Sequence, residues 1–220
     1  MAQLSFFSAD YQAPDVADLG GLLAAHGQIT TSTAGARLSI LLDDDARAAA
    51  VVAECARRGL AAEVVTVEGP GPQLLMRTSR SAALLPLARA WTRGAVKSVP
   101  RALAVTAGFS RLWVLAAGRA ADAGYLLGVD PHTPDTVDDL IAACSRAGVA
   151  GSFVGVRAGG PAIRIVGHRR LARLADTVGT LPADLPADCA PPDEHRAVYD
   201  DTTPRAPRPT PVHPAQQELG

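Results

Sequence analysis

The chain has 220 residues, 48% hydrophobic, 20% charged and only 4% aromatic, with a formal net charge of −1; that is globular composition, sized for one domain or two small ones with a core of Ala, Val and Leu. Three cysteines (Cys55, Cys144 and Cys189) without CxxC spacing argue against a disulfide framework and against zinc. The start has no basic n-region and no window approaches 18 uninterrupted apolar residues, so neither a signal peptide nor a membrane span is expected and a cytoplasmic protein is the default. Lys97 is the sole lysine. With so much Ala, this arginine usage reads as a high-GC genome, so the Arg count alone says little about nucleic acid.

Residues 16–25 read as an opening helix whose core, LGGLLAAHG at 19–27, is built of small residues and ends in His-Gly. Such a face suits a helix whose backbone lies very close to a partner. Residues 28–32 and 36–42 suggest a hairpin. Residues 44–58 carry helical apolar spacing and stop at Gly59. The Val-rich run 60–68 and residues 73–78 pair across the turn Gly69-Pro70-Gly71-Pro72, and 79–91 reads as a helix. After GAVKSVPRAL come helix 109–117, strand 123–129, helix 134–147, strands 149–157 and 161–166, and helix 168–178, so that the first hairpin of this second unit is the shorter one. From Pro182 onward nine prolines fall in 39 residues, and this acidic stretch, lacking apolar periodicity, reads as a disordered tail. Without it the chain is mildly basic.

The unit repeats. A constant shift of 89 pairs Cys55 with Cys144, Arg57 with Arg146, Gly59 with Gly148, Val65 with Val154, Val67 with Val156, Gly71-Pro72 with Gly160-Pro161 and Leu85 with Leu174. The fold class is therefore α+β: two tandem α-β-β-α-β-β-α repeats, spanning 1–95 and 96–181, followed by the tail 182–220. Cys55 and Cys144 occupy equivalent apolar helix positions and read as core; Trp91 and Trp113 read as core or interface anchors. No Ser/His/Asp array, P-loop or GxGxxG is present, since GPGP and AGGP lie in hairpin turns.

This order, with a small-residue helix opening each copy, resembles the LAGLIDADG proteins. Residues 19–27 overlie the nine-letter motif, and SRLWVLAAG at 110–118 takes its place in the second copy. GAVKSVPRAL looks like the Lys-x-Ile-Pro segment of intein-type homing endonucleases. RLWVLAAGR followed by GYLLGVD is similar to the degenerate endonuclease-like domain of the WhiA sporulation regulators. The resemblance implies a pseudo-twofold saddle in which the motif helices pack through Gly20, Gly21, Ala24, Ala116 and Ala117. It also implies that the eighth motif position carries the metal-binding acid. Here that position is His26 in one copy and Ala117 in the other; Asp18 and Asp122 are near in sequence, but Asp18 begins the first helix and Asp122 lies past the end of the second. The expectation is therefore no nuclease activity, no catalytic residue, no cofactor and no metal.

The saddle can still bind DNA, and the candidate contacts are Arg37, Arg77, Arg157 and Arg164 on predicted strands, with Lys97 and Arg101 flanking the KSVP turn and Arg93 just before it. Alternation sets Arg164 against Ile163 and Ile165, and puts Leu75 and Arg77 on one face. The same arginines read equally as ordinary solvated charges. His168, Arg169, Arg170 and Arg173 form the densest basic cluster, read either as a phosphate-contacting edge or as a solvated helix face. The functional expectation is a catalytically inactive nucleic-acid-binding protein, a WhiA-like transcriptional regulator or accessory factor, with no membrane association. WhiA regulators carry a helix-turn-helix domain where this chain has its Pro-rich tail, so that domain's function does not transfer. A protein–protein interaction module on the same scaffold is the alternative. A two-copy chain contains its own pseudo-dimer, which suits a monomer.

Overall fold

The computed structural model describes residues 8–68, 73–122 and 124–192. A 3₁₀ turn, Val16–Leu19, feeds α1 (Gly20–Ala24), the hairpin β1 (Gln28–Ser32) and β2 (Gly35–Leu42), α2 (Asp45–Arg57), the hairpin β3 (Ala62–Val67) and β4 (Gln73–Thr78), and α3 (Leu85–Trp91). A two-residue-stranded hairpin, β5 (Thr92–Arg93) and β6 (Val96–Lys97), crosses to the second unit. That unit runs α4 (Ala107–Ala117), β7 (Gly118–Ala121), β8 (Gly124–Gly128), α5 (Val137–Arg146), β9 (Gly151–Val154), β10 (Ala162–Ile165) and α6 (His168–Val178). The two sheets have the same strand order, β1-β2-β4-β3 and β7-β8-β10-β9, and every pairing is antiparallel.

Local chemistry sets the element ends. Asp44 caps α2 by accepting from the Arg47 amide at 2.9 Å, and Thr106 caps α4 by accepting from the Phe109 amide at 3.1 Å. Past α2 and α5 the chain turns through Gly59 (φ +71°) and Gly148 (φ +78°), equivalent under the repeat and both in the left-handed region that favours glycine. Cys55 and Cys144 are fully buried, and burial pushes their thiols up to about 11 and about 12, as inert core groups require. Trp91 stacks on Phe109 at a centroid distance of 6.3 Å, and Phe109 meets Trp113 edge-on at 5.7 Å.

The structure departs from the sequence reading in three places. The second unit's first hairpin, in which only the strand 123–129 was readable, pairs Gly118–Ala121 with Gly124–Gly128; its first strand escaped because α4 passes straight into β7 with no intervening turn residue to mark the change. The expected strand 149–157 stops at Val154; Gly155 breaks it and Val156–Ala158 is a 3₁₀ turn. The segment 182–192, expected in the disordered tail, is packed. Cys189 is fully buried, Asp188 O accepts from the Ala120 amide at 2.6 Å and the Tyr125 hydroxyl donates to Cys189 O. Those backbone contacts at the β7 edge need no apolar periodicity, so the segment carried no readable signal. The remainder of the expected tail, 193–220, lies outside the described residues. The boundary placed at 95/96 falls in the turn of the β5–β6 hairpin. No helix among the described residues is long and apolar enough to cross a membrane.

Candidate nucleic-acid interface

The two halves meet through backbone. A Cβ on Gly21 would run into the Phe109 carbonyl oxygen and stand 2.8 Å from the Trp113 amide nitrogen; one on Gly20 would stand 3.0 Å from both the Trp91 and Phe109 rings. Only glycine lets α1 lie this close to α4. Ala24 and Ala116 are buried, while Ala117 is half-buried and its Cβ packs toward Gly128.

At the N-terminal ends of these helices a buried charge network spans the halves. Glu54 of α2 accepts from Arg58 at 2.6 Å and from Arg111 of α4 at 2.7 Å, and Arg58 also bonds Asp18 at 2.8 Å. Asp18 accepts from the Thr106 hydroxyl at 2.8 Å, and Arg111 continues to Thr180 O at 2.6 Å. Burial pushes the Glu54 carboxyl up, but hydrogen bonds from Arg58 and Arg111 outweigh it and hold the group below the usual carboxylate range.

At the C-terminal ends a cleft of about 1090 Å³ opens. His26 and Ala117 both line it. Leu41 and Gln73 border it from the first sheet, and Arg119 and Gly128 from the second. The helix ends are held by cations exchanged between the halves. Arg47 of α2 donates to Val114 O (3.2 Å), Leu115 O (3.0 Å) and Gly118 O (2.6 Å) of the second half. Lys97 donates to Leu23 O of α1 at 3.0 Å and to Asp130 at 2.6 Å. Both satisfy carbonyls at the negative end of a helix dipole. Burial pushes the Asp130 carboxyl up, but the Lys97 hydrogen bond and charge, with hydrogen bonds from the His132 amide and Gln28, together outweigh it and leave the group low. The His26 ring is committed too, its Nε2 at 2.6 Å from Leu41 O. At the motif positions stand an imidazole so engaged and a methyl group, neither of which suits a hard divalent cation; Asp43, Asp44 and Asp188 also line the cleft, but no group of three or more His, Cys, Asp or Glu able to hold a metal exists among the described residues.

The ladders place the strand arginines. Cross-strand partners share a face, so Ser39↔Arg77, with Leu38, Ile40 and Met76 buried beneath, puts Arg37 and Arg77 on the outer face of the first sheet. Arg77 pairs there with Glu63 at 2.7 Å. Arg164↔Leu126 and Arg119↔Leu126 put Arg164 and Arg119 on the outer face of the second. Arg119 was not singled out in the sequence; only the hairpin partner of β8, had it been recognised, would have pointed to it. Arg157, expected on a strand, is exposed in the 3₁₀ turn, and Arg101 and Arg93 are exposed at the connector. Lys97, expected to contact nucleic acid, is not at the surface: its side chain is 7% exposed and bound to Asp130. An ion pair of that burial is a structural tie. In the α6 cluster, Arg173 donates to Ala147 O at 2.8 Å, Arg169 and Arg170 are exposed, and His168 lies beside them in the first turn.

No family model matches the chain, and no curated protein matches it. It is similar to a solved structure described as the homing endonuclease I-WcaI bound to its DNA recognition sequence, with a TM-score of 0.56 and 14% identity, over 81% of this chain and 83% of that one. At that identity the likeness concerns the fold, which is homing-endonuclease-like.

Proposed function

We propose that the chain binds duplex DNA through its paired sheets and does not cut it, as a regulator or accessory factor in the manner of the endonuclease-like domain of WhiA regulators. It acts as a monomer, its two halves standing in for two subunits. The observation that carries this reading is the pair of sheets with one strand order, whose outer faces border a common cleft at the ends of two helices in backbone contact. Arginines on those faces supply charge where phosphates would pass. The absence of cleavage is supported by His26 and Ala117 at the motif positions and by Arg47 at the α4 carbonyls, a fixed positive charge at the point where cleavage would need a metal ion.

One observation favours a second reading. The row Leu41, Leu75 and Val65 crosses the outer face of the first sheet, with Leu41 39% exposed, and such a row suits a protein partner. Incubation with supercoiled plasmid and Mg²⁺ separates the possibilities. Retarded but intact plasmid is the expected result. Nicked circles that disappear in His26→Ala would overturn the non-cutting reading, and plasmid neither shifted nor nicked would favour the protein-partner reading.

A further inference from the structure

Resting on the DNA-binding reading, we infer that the duplex is held by the second half alone, by Arg119, Arg157 and Arg164, and does not bridge the cleft. The two outer faces occupy equivalent places but differ in chemistry. The repeat shift of 89 sets Leu75 of β4 against Arg164 of β10. In the first sheet the matched row is apolar: Leu41, Leu75, Val65. In the second it runs Arg119, Leu126, Arg164, Ser152. Leu126 is only 3% exposed although it belongs to the outer face, so neighbouring groups close over it. Arg119 and Leu126 both approach the Gly159 turn: a Cβ at Gly159 would stand 3.2 Å from Arg119 Nη2 and 3.7 Å from Leu126 Cδ1. Arg157, exposed in the same turn, adds a third cation.

On the first half, Arg77 is paired with Glu63 and Arg47 is spent on three carbonyl oxygens, leaving Arg37 as the unshared charge of that face among the described residues; at the connector Lys97 is tied to Asp130. Between the faces, Asp43, Asp44 and Asp188 line the cleft. Asp44 already accepts from the Arg47 amide, but Asp43 and Asp188 are exposed. A phosphate chain crossing there would meet carboxylates in place of counter-charge. A footprint confined to one sheet needs about one turn of duplex, ~10 base pairs, where one spanning both halves needs roughly twice that.

Fluorescence anisotropy with labelled 10- and 30-base-pair duplexes tests this on the full chain. Arg119→Gln with Arg157→Gln, both at exposed positions, is expected to weaken binding at least tenfold at ~50 mM salt and to flatten the salt dependence by about two units of slope. Arg37→Gln with Arg77→Gln is expected to change affinity less than twofold. The short duplex should bind within a few-fold of the long one. Arg164→Gln should behave like the first pair and Arg164→Lys should restore binding; a melting curve for each variant checks folding. Equal losses in both pairs, or a short duplex that fails to bind, overturns the one-sided footprint and leaves the DNA reading standing. A wild-type chain that binds neither duplex removes the DNA reading itself.

Discussion

Glu54 shows at the scale of one residue how the halves are tied. Its side chain is 5% exposed and its two oxygens serve Arg57, Arg58 and Arg111. Removing one partner of a buried pair leaves the other charge uncompensated, so Glu54→Gln should cost about 3–5 kcal/mol in chemical denaturation at neutral pH. Because the folded carboxyl is held below its ordinary value, its contribution is fully present above the unfolded value, about 4.3, and is lost as pH falls through the folded one. Wild-type stability should therefore drop below about pH 4, and Glu54→Gln should show a shallower drop, with Asp130 supplying part of what remains. A variant whose acid profile overlays the wild type would contradict this. None of the network was legible in the sequence. Arg58, Glu54 and Arg111 are charged residues at helical spacing, and a charge turned inward differs from a solvated one only through contacts made dozens of residues away. The same blindness misplaced Lys97, whose partner Asp130 lies 33 positions on.

Among the elements, α1 is the most exacting. It is five residues long, too short to persist by itself, and is held by its fit against α4. Gly21→Ala should lower stability by about 1–3 kcal/mol as α4 is pushed aside. Gly155→Ala, where a Cβ meets nothing within 4 Å, should stay within about 0.5 kcal/mol of wild type; thermal melts of the two side by side give the comparison. This contact was readable in advance, since a run of Gly and Ala has few physical uses. The hairpin β3–β4 was readable from its Val-rich first strand and the Gly69-Pro70-Gly71-Pro72 turn, and β1–β2 and α6 were readable close to their observed bounds. The hairpin β7–β8 was not: GRAA carries no alternation and no turn residue precedes it. Nor was the packed strap 182–192, whose hold on the second sheet runs through backbone and one tyrosine hydroxyl.

Over the whole molecule, duplication was legible because equivalent glycines and cysteines survive at a fixed shift, and it led to the right fold. What the shift conceals is divergence between the copies. Leu75 and Arg164 are equivalent by position yet opposite in chemistry, and the consequence appears only when the ladders show which neighbours share their faces. Arg47 and Lys97 are fixed cations on the helix ends, and carboxylates line the cleft between the faces, an arrangement suited to holding a scaffold together. The salt dependence of duplex binding tests the central claim most directly. With Arg119, Arg157 and Arg164 as the phosphate contacts, log K should fall against log[salt] with a slope of about −3, at roughly 0.9 per phosphate neutralised. A duplex whose anisotropy stays unmoved at low salt, or a binding constant indifferent to salt, would contradict the account.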